Sequence, residues 1–236
     1  SLENGNSGMA YVFEKQGAGA WREAARIEAS DGEFRDGFGS SVAIDGDRAI
    51  IGALSDDARA INGGSVYVFE RTANGWSETG RINASDGRPN DRFGLSVSLS
   101  GDTALVGTPF KNANRGGAYL FQRQPNGSWR ETILSASDAA TSDYFGQTVS
   151  IDGNVAVVGA YGDNTGRGAA YVFERQNSGE WTQTRKLIGS DTQLTDNFGV
   201  SVSNAENRII VGAVSHDLGE LADAGAAYMF ERQNDG

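Results

Sequence analysis

The chain of 236 residues contains no cysteine, three prolines, one histidine and three lysines, and no apolar run approaches the length of a membrane span. Without cysteine there is no disulfide and no thiol chemistry, which leaves the compartment open. Without a long apolar run no membrane insertion is expected. Acidic residues outnumber basic ones, 31 to 20, and the formal net charge of -11 opposes binding to nucleic acid or anionic lipid. No G-x-S-x-G, H-E-x-x-H or P-loop pattern occurs, and the single histidine, His216 beside Asp217, has no accompanying nucleophile motif. No catalytic residue is therefore expected, and the chain reads as a non-enzyme. No signal peptide is evident, so an exported form would have lost its leader or carry it outside these residues. The few prolines and the absence of a low-complexity stretch show no linker, which gives one domain over 1–236.

What the chain has is a repeat. Phe-Gly pairs stand at Phe38-Gly39, Phe93-Gly94, Phe145-Gly146 and Phe198-Gly199, at spacings of 55, 52 and 53 residues. Each is followed by a β-rich run ending in a second glycine and then by Gly-x-x-Tyr-x-Phe, and the first three then by tryptophan; the fourth copy stops before it. The tyrosines Tyr11, Tyr67, Tyr119, Tyr171 and Tyr228 make five copies, while the tryptophans Trp21, Trp76, Trp129 and Trp181 make four. The repeat units run approximately over 1–37 (partial), 38–92, 93–144, 145–197 and 198–236 (partial). A period of this length signals stacked supersecondary units.

Within the first complete unit four runs read as strands: Ser41 to Ile44, Ala49 to Ala53, Ser65 to Glu70 and Trp76 to Ile82. They are rich in Val, Ile, Tyr and Phe and are separated by Asp-Gly, Gly-Gly and Asn-Gly turn signals. The second and third runs are apolar on both alternating faces, so both faces of each small sheet are expected to be covered. The fourth run mixes charges into its length, as an outer edge strand does. A four-stranded antiparallel sheet of this kind, repeated radially, is a propeller blade, and the fold class is all-β, a β-propeller. The strand count is two before Phe38, twelve in three complete units and three after Phe198, seventeen in all.

The sequence Phe-Gly-x-Ser-Val, then x-Gly-Asp-x-Ala-x-x-Gly-Ala, then Gly-x-x-Tyr-Val-Phe and Trp resembles the FG-GAP repeat family, to which the integrin α-subunit head propeller belongs, and most closely its bacterial secreted and surface members. The resemblance implies a propeller and extracellular recognition or adhesion, with a secreted or cell-surface location. Many integrin-type repeats carry Asp-x-Asp-x-Asp-Gly calcium loops. At the matching hairpins this chain has only Asp45-Gly46-Asp47, Ser100-Gly101-Asp102, Asp152-Gly153-Asn154 and Ala205-Glu206-Asn207, with too few carboxylates and too short a loop for six or more ligands. No calcium is expected there, and no cofactor is implied.

A second acidic pattern pairs Asp31 with Asp36, Asp86 with Asp91, Asp138 with Asp143 and Asp191 with Asp196, always five residues apart. The expectation is that both carboxylates of each pair bond nearby backbone N–H groups and fix the loop between blades. The alternative is a cation held between blades by these residues. The tryptophans are expected to pack at blade edges rather than to present sugar-stacking platforms.

The copies differ most in the loop between the second and third strands, and loops on a rigid scaffold are where binding resides. Asp56, Asp57, Lys111, Arg115, Asp163, Arg167, His216 and Asp217 are the ligand-binding candidates there. The expected partner is a protein or carbohydrate on a cell surface or in an extracellular matrix. Two alternatives stand beside it: an accessory propeller of a secreted enzyme, and a surface or filament protein that self-associates through its terminal strands. Because the repeat starts and stops inside a blade, the chain is expected to be a segment of a longer propeller, seven-bladed as the resemblance implies; a small closed ring is the alternative.

Overall fold

Seventeen strands are found among the residues described by the computed structural model, 7–17 and 19–233, and they fall into five antiparallel sheets. A hairpin of β1 (Ala10–Lys15) and β2 (Trp21–Ile27) comes first. Three four-stranded sheets follow. The first holds β3 (Phe38–Asp45), β4 (Arg48–Ala53), β5 (Ser65–Thr72) and β6 (Gly75–Ile82). The second holds β7 (Ser96–Ser100), β8 (Thr103–Gly107), β9 (Ala118–Arg123) and β10 (Trp129–Leu134). The third holds β11 (Thr148–Asp152), β12 (Val155–Ala160), β13 (Ala169–Arg175) and β14 (Trp181–Leu187). The last sheet has three strands, β15 (Phe198–Ala205), β16 (Arg208–Ala213) and β17 (Ala226–Glu231). Strand order within every sheet is sequential, the meander of a propeller blade.

The inner strands β3, β7, β11 and β15 lie side by side along the row of blades. The hairpin turns at their far ends are tied in series: Asp45 Oδ2 accepts from the Gly101 N–H at 2.6 Å, Ser100 Oγ from Gly153 N–H at 3.0 Å, and Asp152 Oδ2 from Glu206 N–H at 2.6 Å. The hairpin carboxylates Asp45 and Asp152 thus face the neighbouring blade's backbone.

Blade-to-blade packing explains the repeat's two marks. Each Phe of the Phe-Gly pairs is buried and meets the Tyr and Phe of its own third strand edge-on, as Phe145 does with Tyr171 at 5.5 Å and Phe173 at 6.1 Å. The second glycine lies against the next blade's Phe-Gly. A Cβ on Gly52, Gly107 or Gly159 would stand 2.0–2.1 Å from the carbonyl oxygen of Gly94, Gly146 or Gly199, so no larger residue fits while the backbones keep this approach.

Strands β4, β5, β8, β9, β12 and β13 are buried on both faces over most of their length, as their apolar runs require. The expectation of two covered faces fails at the ends of the row. Strands β1 and β17 alternate between half-buried and exposed along their whole length, because each has a neighbouring blade on one face only. Tyr11, Phe13, Val42 and Ile44 are exposed at one end, and Ile210 and Met229 at the other. Strand β2 pairs with β1, not with the last sheet, so these strands form an open row.

Candidate functional site

The loops joining one blade to the next and the loops between second and third strands gather at the same end of each blade. There a cluster recurs around the repeated tyrosine. The Tyr67 hydroxyl lies 2.8 Å from Asp31 Oδ1 and 2.7 Å from Asp56 Oδ2, its single proton shared between the two carboxylates. Tyr119 donates to Asp86 at 2.6 Å, Tyr171 to Asp138 at 2.8 Å and Tyr228 to Asp191 at 2.7 Å. Burial, and then the adjoining carboxylates, push all four phenols far above the ordinary tyrosine range, so each remains a donor.

The Asp pairs therefore divide their work. The second of each pair meets the backbone as expected: Asp36, Asp91, Asp143 and Asp196 accept from the N–H of Glu33, Arg88, Ala140 and Gln193, three residues earlier. For the first of each pair the expectation is corrected. Asp31, Asp86, Asp138 and Asp191 take the tyrosine hydroxyl of the following sheet, because the loop carries them over the end of its third strand. The serine before three of them is fixed by the following blade's fourth strand: Ser30 donates to Glu78, Ser85 to Glu131, and Ser137 N–H to Gln183.

Positive charge reaches each cluster by one of two routes. In the first blade Arg81 on β6 pairs with Asp31 at 2.5 Å, and in the third Lys186 on β14 pairs with Asp138 at 2.6 Å and Asp163 at 2.8 Å. In the second blade the matching strand residue is Ile133, and the cation comes from the loop: Lys111 Nζ lies 3.1 Å from Asp86 and 3.3 Å from Asp91. Asp56, Lys111, Asp163 and His216 occupy the same place in successive repeats. Where this place is acidic the fourth strand supplies the cation; where it is Lys111 the strand is apolar. In the last sheet His216 Nδ1 stands 2.7 Å from Asp196 and Nε2 3.7 Å from Asp191. The chain's own side chains thus occupy the position that the alternative reading gave to a bound cation, and among the described residues no group of three or more His, Cys, Asp or Glu is arranged to hold a metal.

Proton affinities follow these contacts. Burial lifts Asp36 and Asp143 above the usual carboxylate range. Burial also acts upward on Asp86 and Asp138, but hydroxyl and ammonium donors outweigh it and hold both below that range. The Tyr228 hydroxyl lowers Asp191, and the hydrogen bond to Asp196 raises His216 above the ordinary histidine value.

Four of the eight loop candidates are consequently interior residues. Asp56, Lys111, Asp163 and His216 are all buried, which corrects their reading as ligand-facing. Asp57 and Asp217 are exposed but brace their own loops, accepting from Asn62 N–H and Asp223 N–H. Arg167 donates to Thr192 at 3.3 Å. Arg115 is exposed and makes no ion pair among the described residues; it borders a depression of about 510 Å³ with Asn112, Ser137 and Asp138. A second depression of about 500 Å³ lies between Asp138, Asp143, Asp163, Arg167 and Lys186.

Beside Arg115 lies a group that the sequence reading missed. Arg92 sits over the Phe110 ring at 4.7 Å, Phe110 meets Tyr144 edge-on at 5.9 Å, and Tyr144 stacks on Tyr161 at 4.8 Å and 15°. The three rings are half-buried. Backbone bonds join the two loops here, Tyr144 N–H to Asn114 O and Phe145 N–H to Arg115 O. Tyr144 has φ 55, a left-handed conformation that a bulky side chain rarely adopts. The signal was available in the repeat: the residue before each Phe-Gly is Gly37, Arg92, Tyr144 and Asn197, and where the third blade has Tyr161 the other repeats have Leu54, Pro109 and Val214.

The chain matches none of the curated proteins. The family described as FG-GAP repeat matches residues 21–69, 76–121, 129–173 and 181–230. Each matched unit opens on the tryptophan of one sheet's last strand and runs into the third strand of the following sheet, so it bridges two sheets. Four matches over most of the sequence, on sheets that pack through the Phe-Gly marks themselves, show that the chain belongs to the FG-GAP repeat family.

Proposed function

We propose that the protein is a non-enzymatic recognition module, acting outside the cell or on its surface, that binds a protein or carbohydrate through the loop end of its second and third blades. The observation that carries this is the ladder Arg92–Phe110–Tyr144–Tyr161, which departs from the repeat in residue type at Tyr144 while keeping the positive φ that Gly37, Arg92 and Asn197 share at that place. Blade construction is satisfied by Gly37 and Asn197 at Tyr144's place, so a tyrosine held there against its backbone preference points to use by a ligand. Aromatic faces flanked by arginine suit both the C–H surfaces of a sugar and the side chains of a protein partner. Arg115, exposed on the adjoining loop, adds a charge for orientation. Family membership supports the adhesion reading, and the sole histidine has a role inside the fold.

The test replaces Tyr144 by Asn, the residue of the fourth repeat, and Tyr161 by Leu, the residue of the first. Binding of the wild-type chain to arrays of glycans and of extracellular-matrix proteins is compared with that of the double variant. Ligands retained by the wild type are expected to be lost from the variant with its unfolding transition preserved. A variant that binds every captured ligand as before would overturn the assignment.

A further inference from the structure

The junction of the second and third blades leaves open a place that the other junctions fill. The loops after β8 and β12 share a backbone: Asn112 and Ala113 have φ 52 and 59, and Asn164 and Thr165 have φ 48 and 59. Each loop then presents an arginine before a glycine, Arg115 or Arg167. Arg167 is tied to the following inter-blade loop, donating to Thr192 Oγ1 at 3.3 Å. At Thr192's place in the preceding copy stands Ala139, and the exposed Arg115 guanidinium has no hydrogen-bond or ion-pair partner among the described residues. In the first full blade Asn83 fills the place by donating to Gly64 O and Ser65 Oγ, and Arg59 donates to Ser85 O at 3.1 Å. Ser135 stands where Asn83 does, and its shorter side chain leaves the space open. The result is the depression of about 510 Å³ bordered by Arg115, Asn112, Ser135 and Ala139. That volume falls in the range of small-molecule sites, about 300–1,000 Å³.

We propose that, within the recognition reading on which this rests, the depression seats the carboxylate-bearing ring of an acidic sugar, with Arg115 holding the carboxylate. A guanidinium meets a carboxylate through two parallel N–H donors. The side chains of Asn112 and Ser135 make no hydrogen bond among the described residues. Their amide and hydroxyl match the hydroxyl groups of a sugar ring, which an aspartate or glutamate side chain lacks. Asp138 on the rim has both oxygens taken, by the Tyr171 hydroxyl and the Lys186 ammonium.

The spread of charge agrees. The loops of the second blade carry Arg88, Arg92, Lys111 and Arg115 against Asp86 and Asp91, and Lys111 meets both carboxylates. Those of the last sheet carry Asp191, Asp196, Asp217, Glu220 and Asp223 with no arginine or lysine. Charges more than about 8 Å away are largely screened at physiological salt, so the nearby arginines outweigh the net charge of -11 at this seat.

Trimers of galacturonate and of mannuronate, each also as its methyl ester, provide the probes, titrated into the isotope-labelled chain and followed by amide NMR. At least one acid should shift Asn112, Arg115 and Ala139 saturably. Its ester should bind at least about tenfold more weakly, because a hydrogen bond to a charged group is lost. Arg115→Gln should bring acid and ester to the same affinity. Ala139→Thr, which gives Arg115 the partner that Arg167 has, should weaken the acid by a similar factor with the unfolding transition preserved. No saturable shift from either acid would overturn the proposal, as would an acid that binds Arg115→Gln as tightly as the wild type. Tighter binding of a glutamate trimer than of either sugar acid would overturn the sugar assignment and give the seat to an acidic peptide. Acid binding lost with Arg115→Gln but kept by the Tyr144→Asn, Tyr161→Leu variant retains the seat and removes the ladder. The reverse result retains recognition through the ladder and removes the seat.

Discussion

At the scale of single residues the chain solves one electrostatic problem four times with different side chains. Two carboxylates must lie at the end of a tyrosine-bearing strand, and a cation meets them: Arg81, Lys111, Lys186 or His216. Only His216 can lose its charge near neutral pH. The groups facing it are Asp191 and Asp196 from the inter-blade loop, Tyr228 from β17 and Asp217 beside it. Asp196 raises its proton affinity over that of an unfolded chain, where it titrates near 6.5. A folded pKa above the unfolded one means that the contribution is complete below pH 6.5 and is lost as pH rises through the folded value. Proton NMR of the imidazole should give a midpoint above 6.5, and the unfolding temperature should fall as pH is raised across that midpoint. His216→Lys, copying Lys111, should remove this dependence. A midpoint at or below 6.5 would contradict the assigned geometry.

At the scale of strands and loops, glycines set the distance between blades. Gly159→Ala drives a Cβ to 2.0 Å from the Gly199 carbonyl oxygen, a backbone atom that cannot rotate away. Overpacking of this kind costs about 1–3 kcal/mol or more. Gly212 holds the same place in the last sheet, yet its nearest neighbour is the Ser201 hydroxyl at 2.4 Å, a side chain that can turn. Urea unfolding should therefore show Gly159→Ala to be clearly more destabilising than Gly212→Ala, and equal effects would mean that the blades do not approach this closely. Both glycines are plain in the sequence, as are all seventeen strands, because hydrophobic period and turn residues act over a few neighbours and every copy states them again. The clusters were less legible. Tyr171 and Asp138 are 33 residues apart, and the cation that joins them comes from β14 in one blade but from a loop in another. No local pattern encodes that exchange; comparing the copies position by position does. The aromatic ladder lay in the same comparison, since Tyr144 and Tyr161 stand where other repeats carry Gly37 and Leu54.

Across the whole molecule, burial is greatest in the middle of the row and falls toward both ends. Strand β8 is buried throughout and β12 nearly so, whereas β16, at the same place in the last sheet, is buried at only two of its six residues. Strands β1 and β17 expose alternate side chains along their length, including Phe13 and Met229. Stability in a stacked array is the sum of each unit and its interfaces, and an end unit has one interface where a middle unit has two. Opening should accordingly begin at the ends. Amide hydrogen exchange should find β8 and β12 among the most protected strands, with β1 and β17 exchanging at least about tenfold faster, a difference of ~1.4 kcal/mol in opening free energy. Uniform protection along the row would refute the gradient.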